Sequence, residues 1–134
     1  RKRLFRMVER ENGTFSLDGM AADDGHNKLV QNFCSPSYPF FEHDLTDHFV
    51  WIFPPLKLIG VTLKFLISAR KEGVRFSCCC LVPERSSAPW FRYCQHFKPV
   101  KRFDPGSDLF RSLKDGSFCR DLPVKEYWRV IRLG

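Results

Sequence analysis

Two loop-forming residue pairs are best suited to chemistry. Asp18 and Gly19 end a short alternating segment; a carboxylate there can accept hydrogen bonds from amines or hydroxyls, and glycine lets a ligand approach the backbone. Pro54 and Pro55 end an aromatic and β-branched run over residues 49–53, because proline cannot donate to a sheet ladder. An Asp-Gly pair is equally typical of a simple turn. A Pro-Pro pair is equally typical of a connection in which a strand ends and a helix follows.

The elements that must position these loops alternate between strand and helix. Apolar residues recur with a helical period from Leu58, and Gly73 follows where a left-handed C-cap residue belongs. A buried strand is predicted over residues 76–82, and Ser87 with an early proline predicts the start of a second helix. Further strand candidates cover residues 14–17, 100–103 and 127–133.

This alternation predicts an α/β fold with a mostly parallel sheet and helices on both faces. In such sheets, ligands collect at the carboxyl ends of the strands, which is where both candidate loops begin. With 43% apolar and 28% charged residues, the composition is that of one globular domain over residues 1–134. We expect residues 1–13 to be a basic lead-in and residues 104–134 a basic carboxy-terminal extension with a final strand.

Several short motifs occur in a fixed order between residues 4 and 104. They are FSLDGMAA at 15–22, an asparagine at 27, FC at 33–34, VWIFPP at 50–55, CLVP at 80–83 and APWF at 88–91. As an ordered set they resemble the phage-type DNA N6-adenine methyltransferases and the related domain of some tyrosine-recombinase retroelements. The resemblance implies a small Rossmann-like, methyltransferase-type sandwich, short for that architecture at 134 residues.

The same resemblance implies a cofactor site for S-adenosylmethionine. Its expected residues are Asp18, Gly19, Ala21, Asn27 and Pro54. Asp18 would lie in the first cofactor loop, where an acid can meet the amino group or the sugar hydroxyls of the cofactor. The sequence leaves open whether the crevice still binds this cofactor.

The Pro-Pro loop departs from the family pattern at the positions that carry catalysis. In the family, an Asn or Asp and the first proline's carbonyl accept hydrogen bonds from the target amine, and an aromatic residue stacks on a flipped base. Here Phe53 replaces the Asn or Asp, and Leu56 replaces the aromatic residue. Losing an oriented polar group at a reacting centre costs about 10²-fold or more in rate. We therefore expect no catalytic residue in the degenerate loop and little or no adenine methylation.

The charge distribution favours a polyanionic partner for the carboxy-terminal part. The chain carries 22 basic and 15 acidic residues, a net charge of +7, divided as +3 over residues 1–17, −5 over 18–50 and +9 over 51–134. Basic residues interleaved with aromatic residues can contact phosphates and unpaired bases. The expected DNA- or RNA-binding residues are Arg85, Arg92, Lys98, Lys101 and Arg102. The alternative is a solvated basic rim around buried aromatic residues.

Cysteine and histidine give no strong sign of a metal site or a disulfide framework. Neighbours in one strand point to opposite faces, so the consecutive residues Cys78, Cys79 and Cys80 do not suit the spaced framework of a secreted scaffold. We therefore expect an intracellular, reducing compartment, nuclear or cytoplasmic, with an organelle not excluded. Zinc sites usually show close ligand pairs, and none accompanies Cys34. No metal is expected.

The leading hypothesis is a degenerate, catalytically inactive methyltransferase-like domain that acts as a nucleic-acid-binding or assembly module. Two alternatives are an active S-adenosylmethionine-dependent methyltransferase with an altered substrate, and a structural subunit of a larger complex with protein partners. No membrane partner is expected, because the longest apolar run, residues 49–56, is far shorter than the ~20 residues that span a bilayer. Since the chain opens on Arg1, we expect a processed product or a fragment.

Overall fold

The computed structural model describes residues 2–105 and 126–134, together with the backbone of two short strands between them. The helices and strands are α1 (Lys2–Asn12), β1 (Leu17–Asp18), β2 (Phe49–Ile52), α2 (Ile59–Lys71), β3 (Ser77–Pro83), β4 (Lys98–Phe103), β5 (Ser112–Lys114), β6 (Ser117–Cys119) and β7 (Trp128–Leu133). Short 3₁₀ helices cover Phe40–Glu42, Leu56–Leu58 and Phe91–His96. Of the extension predicted over residues 104–134, residues 106–111, 115–116 and 120–125 lie outside the described residues, and its predicted final strand is β7.

The five-stranded sheet is parallel at one end and antiparallel at the other. Its strand order is β1-β2-β3-β7-β4. β1, β2 and β3 pair in parallel, whereas β7 runs antiparallel to both of its neighbours, β3 and β4. Strands β5 and β6 form a separate antiparallel pair. The mixed α/β class was predicted, but the reversed strand between β3 and β4 was not.

Both faces of the sheet are covered, as the continuous apolar strands indicate. On β3, Cys78, Cys80 and Val82 pack in one cluster, and Cys79 and Leu81 pack in another. The first cluster is completed from α2 by Ile59, Leu63, Leu66 and Ile67. The second is completed from α1 by Leu4, Phe5 and Val8. One helix therefore lies on each side of the sheet.

Helix α2 follows its sequence signals closely. The helix predicted from Leu58 begins at Ile59 and ends at Lys71. Gly73 has φ of 91°, the left-handed conformation that favours glycine after a helix. The N–H of Val74 then donates to the carbonyl of Ala69 at 3.0 Å. This closes the last turn and directs the chain towards β3.

Helix α1 occupies the segment for which only a basic lead-in was predicted. Its buried residues Leu4, Phe5 and Val8 repeat with helical spacing on one face. The guanidinium of Arg132 on β7 donates to the carbonyl of Asn12 at 3.2 Å, which ties the end of α1 to the sheet.

Two predicted elements differ from the structure for local reasons. The first strand, predicted over residues 14–17, is Leu17–Asp18, because the Ser16 hydroxyl accepts the N–H of Phe49 at 2.9 Å before regular pairing begins. The second helix, predicted from Ser87, is the 3₁₀ helix Phe91–His96. In this segment the N–H groups of Tyr93 and Phe97 donate to carbonyls three residues earlier, those of Trp90 and Cys94, which is the 3₁₀ pattern.

Candidate functional site

A cleft of about 620 Å³ lies at the carboxyl ends of β1 and β2. The residues after β1 and β2 supply most of its walls, and Trp128 at the start of β7 adds to them. The described lining residues are Gly19, Met20, Ala21, Ala22, Asn27, Ser35, Pro36, Pro39, Phe40, Phe41, Phe53, Pro54, Pro55, Leu56, Leu58 and Trp128. The two loops marked by sequence therefore meet in one site at the expected edge of the sheet.

Asp18 lies beneath this cleft and does not line it. The residue is 1% exposed. Its carboxylate accepts the N–H of Met20 at 3.2 Å and the N–H of Leu29 at 2.9 Å. Its carbonyl accepts the N–H of Cys34 at 2.7 Å. Asp18 therefore fastens both ends of the loop that forms one wall of the cleft.

Asn27 and Ala21 support the same wall from the cleft side. The side-chain oxygen of Asn27 accepts the N–H of Ala22 at 2.7 Å, and the N–H of Ala21 donates to the carbonyl of Cys34 at 2.9 Å. Both residues line the cleft. Their hydrogen bonds set the shape of the wall that a ligand would meet.

Gly19 allows a close approach within the protein itself. Its N–H donates to the carbonyl of Trp51 at 2.8 Å. A Cβ at this position would lie 3.1 Å from side-chain atoms of both Ile52 and Phe40, closer than most Cβ contacts. A side chain at this position would therefore push Ile52 or Phe40 aside by a few tenths of an ångström, so glycine favours the close packing of the cleft floor.

The Pro-Pro loop forms the opposite wall and is apolar throughout. The Phe53 ring is half-buried and packs edge-on against Trp128, with ring centroids 6.2 Å apart and an interplanar angle of 87°. Pro54 is buried, and the carbonyl of Pro55 accepts the N–H of Leu58 at 2.8 Å. Leu56 lies at the rim with 49% of its surface exposed. Phe53 thus supplies no hydrogen-bond acceptor, and Leu56 supplies no ring for stacking.

The electrostatics of the cleft are close to neutral. None of the described lining residues carries a charge, and Asn27 and Ser35 are its polar aliphatic side chains. The ammonium and carboxylate groups of an amino-acid ligand would therefore meet no ionic side chain in the described part of the cleft. The walls suit an uncharged, flat or apolar group.

Three of the five predicted nucleic-acid-binding residues are engaged by carboxylates. Arg85 binds Glu126 through two hydrogen bonds of 2.8 and 2.7 Å, which raises the pKa of Arg85 and lowers that of Glu126. Arg102 binds Glu84 through bonds of 2.9 and 3.0 Å. The ammonium of Lys101 donates to the carboxylate of Glu11 on α1 at 3.1 Å. These ion pairs compete with phosphate for the same cations.

The other two predicted cations lie on the surface near aromatic residues or in solvent. Arg92 is exposed and lies over the ring of Tyr93, with its guanidinium carbon 5.1 Å from the ring centroid. Lys98 is exposed at the start of β4. Because three of the five predicted residues are paired with carboxylates, the five do not form one unpaired surface.

The pKa values of three buried thiols are raised, which keeps these thiols protonated and unreactive. Burial, together with the charge of Asp18, raises the pKa of the Cys34 thiol to about 11, and burial raises that of Cys79 to about 12. Burial also raises the pKa of Cys80. Thiolates are the reactive form, so these residues are packing groups in the core. Among the described residues, no three His, Cys, Asp or Glu side chains are grouped so as to hold a metal ion.

The basic lead-in predicted over residues 1–13 forms a helical surface, and the helix itself was not predicted. The outer face of α1 presents Lys2, Arg3, Arg6 and Arg10, all exposed. The spacing of the buried residues Leu4 and Val8 was the signal that could have identified this helix.

Comparison with known proteins adds no family assignment. The chain matches no protein-family model, and no curated protein matches it. None of the helices in the described residues is long and apolar enough to cross a membrane.

Proposed function

We propose that this chain is a catalytically silent, methyltransferase-like domain that serves as a nucleic-acid-binding module. One observation carries the proposal. At the position where an amine-directed methyltransferase needs a hydrogen-bond acceptor, the phenyl ring of Phe53 packs edge-on against Trp128 in an uncharged cleft.

The sheet topology supports a Rossmann-like, methyltransferase-type ancestry. Rossmann-like methyltransferases have a sheet whose last strand is antiparallel and lies between two parallel strands at one edge. Here β7 is the last strand in the chain and lies between β3 and β4, antiparallel to both. The cleft at the ends of β1 and β2 corresponds to the usual place for a ligand in such sheets. Fold does not fix function, so the activity must be argued from the cleft.

The cleft chemistry supports loss of catalysis. Orienting the lone pair of an amine needs an acceptor close to the methyl donor, and Phe53 offers none. Leu56 cannot stack on a base in the way an aromatic residue does. Because each change removes a different part of the reaction, restoring one residue would leave the other function missing.

The cofactor remains part of the proposal in a weaker form. A volume of about 620 Å³ is within the range of small-molecule sites, about 300–1,000 Å³. The lining suits the flat adenine of S-adenosylmethionine better than its charged amino-acid end. We therefore expect the cleft to hold this cofactor weakly, or to hold an uncharged aromatic ligand in its place.

The first experiment separates this proposal from an active enzyme with an altered substrate. Calorimetric titration of the chain with S-adenosylmethionine and with S-adenosylhomocysteine should give a dissociation constant no tighter than about 1 mM for either ligand, about −4 kcal/mol. Micromolar binding of both ligands, with methyl transfer to any offered acceptor, would establish the enzyme instead.

A structural role in a larger complex is favoured by one feature of the cleft rim. Tyr38 is 73% exposed and Leu56 is 49% exposed. Leu56 and Pro39, the residue after Tyr38, line the cleft. An apolar rim that continues into an apolar cleft is typical of a protein-binding surface. Replacing both residues with serine should reduce self-association or capture of a partner without changing the fold, as measured by sedimentation and circular dichroism.

The intracellular, reducing compartment also stays a proposal. It is supported by the free, buried thiols of Cys78, Cys79 and Cys80, which lie side by side on β3.

A further inference from the structure

The outer face of α1 concentrates positive charge. Lys2, Arg3, Arg6 and Arg10 are exposed and, with Glu9 and Thr14, surround a shallow surface concavity. None of these four cations forms an ion pair with a carboxylate of the described residues, whereas Arg85, Lys101 and Arg102 each do. Glu9, the acid within the concavity, accepts the N–H of Phe15 at 3.1 Å.

The placement of these cations works against the stability of the helix. Arg6 lies three residues from Arg3 and four from both Lys2 and Arg10, so like charges are neighbours on one helix face. A sequence that breaks local electrostatic rules at several adjacent positions is typical of a functional surface. A bound anion would relieve this repulsion between like charges.

We infer that this face of α1 binds the phosphate backbone of a nucleic acid; the inference rests on the nucleic-acid part of the proposed function. Arg3 and Arg10 are seven residues apart, about 10.5 Å along an α-helix at ~1.5 Å per residue. One nucleic-acid strand presents a phosphate about every 3.4 Å along its axis, so this length faces about three phosphates. Three arginines can therefore each meet one.

The alternative anionic partner, a lipid surface, fits the helix less well. Helices that lie on membranes bury an apolar face in the lipid. The apolar face of α1 is already used: Leu4, Phe5 and Val8 pack against the sheet and are at most 6% exposed. The helix thus presents charge alone to a partner, which suits a phosphate backbone.

The test compares two variants with equal net charge. Arg3→Gln/Arg6→Gln/Arg10→Gln neutralises the α1 face, and Lys57→Gln/Lys64→Gln/Lys71→Gln neutralises three exposed lysines elsewhere. Each variant has a net charge of 7 − 3 = +4. Binding to a fluorescein-labelled 20-base-pair DNA duplex and to a 20-nucleotide RNA is measured by anisotropy at 50 and 200 mM salt. Vesicles containing phosphatidylserine form a third arm.

The expected result is specific to α1. Each phosphate contact contributes about 0.9 to the salt slope on duplex DNA, so loss of three contacts lowers the slope by about 2.7. Between 50 and 200 mM salt, the wild-type chain and the lysine variant should then lose about 40-fold more affinity than the α1 variant. Replacing the same three arginines with lysine should restore binding, which guards against an effect of misfolding.

The opposing outcomes are distinct. Equal slopes for all variants, with clear wild-type binding, would overturn the α1 assignment and leave the proposed function intact. Absence of wild-type binding to either nucleic acid at 50 mM salt would overturn the nucleic-acid part of the proposed function as well. Binding to the anionic vesicles that depends on the α1 arginines, without nucleic-acid binding, would assign the surface to lipid and overturn the inference.

Discussion

Replacing Asp18 with asparagine tests whether this residue holds the cleft wall or serves a ligand. The carboxylate is buried and accepts two backbone N–H groups, from Met20 and Leu29. An asparagine keeps one acceptor oxygen but turns an amide donor towards the other N–H. A hydrogen bond to a charged group contributes about 1.5–3 kcal/mol, and an unsatisfied buried donor costs a similar amount. We expect Asp18→Asn to lower the free energy of unfolding by about 2–3 kcal/mol.

Urea unfolding followed by tryptophan fluorescence and circular dichroism measures this loss. With a slope of about 1.5 kcal/mol/M, the midpoint should fall by roughly 1–2 M. Asp23→Asn is the matched control. Asp23 also accepts a backbone N–H, from Ser37 at 2.7 Å, and hydrogen bonds from Ser35 and Ser37 lower its pKa, but it is exposed, so its midpoint should fall by much less than that of Asp18→Asn. A wild-type midpoint for Asp18→Asn, combined with altered ligand binding, would refute our assignment and make Asp18 a ligand-contacting residue.

Three further predictions concern the glycine after α2 and the buried thiols. Gly73→Ala should lower the free energy of unfolding in urea by about 1 kcal/mol, because φ of 91° disfavours a side chain. Packing should not change, since nothing lies within 4 Å of the new Cβ. An unchanged urea midpoint would argue against the left-handed cap. Cys34 and Cys79 should resist alkylation at pH 8 in the native chain and react after unfolding, as measured by peptide mapping. A thiol with a pKa of about 11 is only about 0.1% thiolate at that pH. Fast labelling of the native chain at these cysteines would contradict their burial. Folding raises the pKa of both thiols above 9.0, so their contribution to stability is complete below pH 9 and is lost as the pH rises from 9 towards 11–12. The free energy of unfolding should therefore fall over that interval, and Cys34→Ala should make the fall less steep. The same slope in the wild-type chain and in Cys34→Ala would contradict the raised pKa of Cys34.

Strand β2 and helix α2 could be predicted from the sequence because their signals are local. The aromatic run before Pro54 predicts β2, and the apolar period ending at Gly73 predicts α2; both are confirmed within a residue or so. Helix α1 was not predicted, because its charged residues outnumber the three buried residues that carry its helical spacing. The antiparallel position of β7 depends on tertiary pairing, for which a single strand carries no signal.

The site was predictable in position but not in detail. Two loops at the carboxyl ends of parallel strands were expected to meet, and they do, around one cleft. The burial of Asp18 beneath the wall could not be foreseen, because it depends on backbone groups eleven residues away in the sequence. The ion pairs of Arg85 and Arg102 likewise join residues distant in the chain.

The most direct test of the central claim is methyl transfer itself. The purified chain is incubated with S-adenosylmethionine that carries a tritiated methyl group and with adenine-containing oligonucleotides, both single-stranded and duplex. Because Phe53 offers no acceptor to the target amine, we expect no incorporation above that of a heat-denatured sample. Repeated turnover that places the label on the N6 atom of adenine would contradict the account.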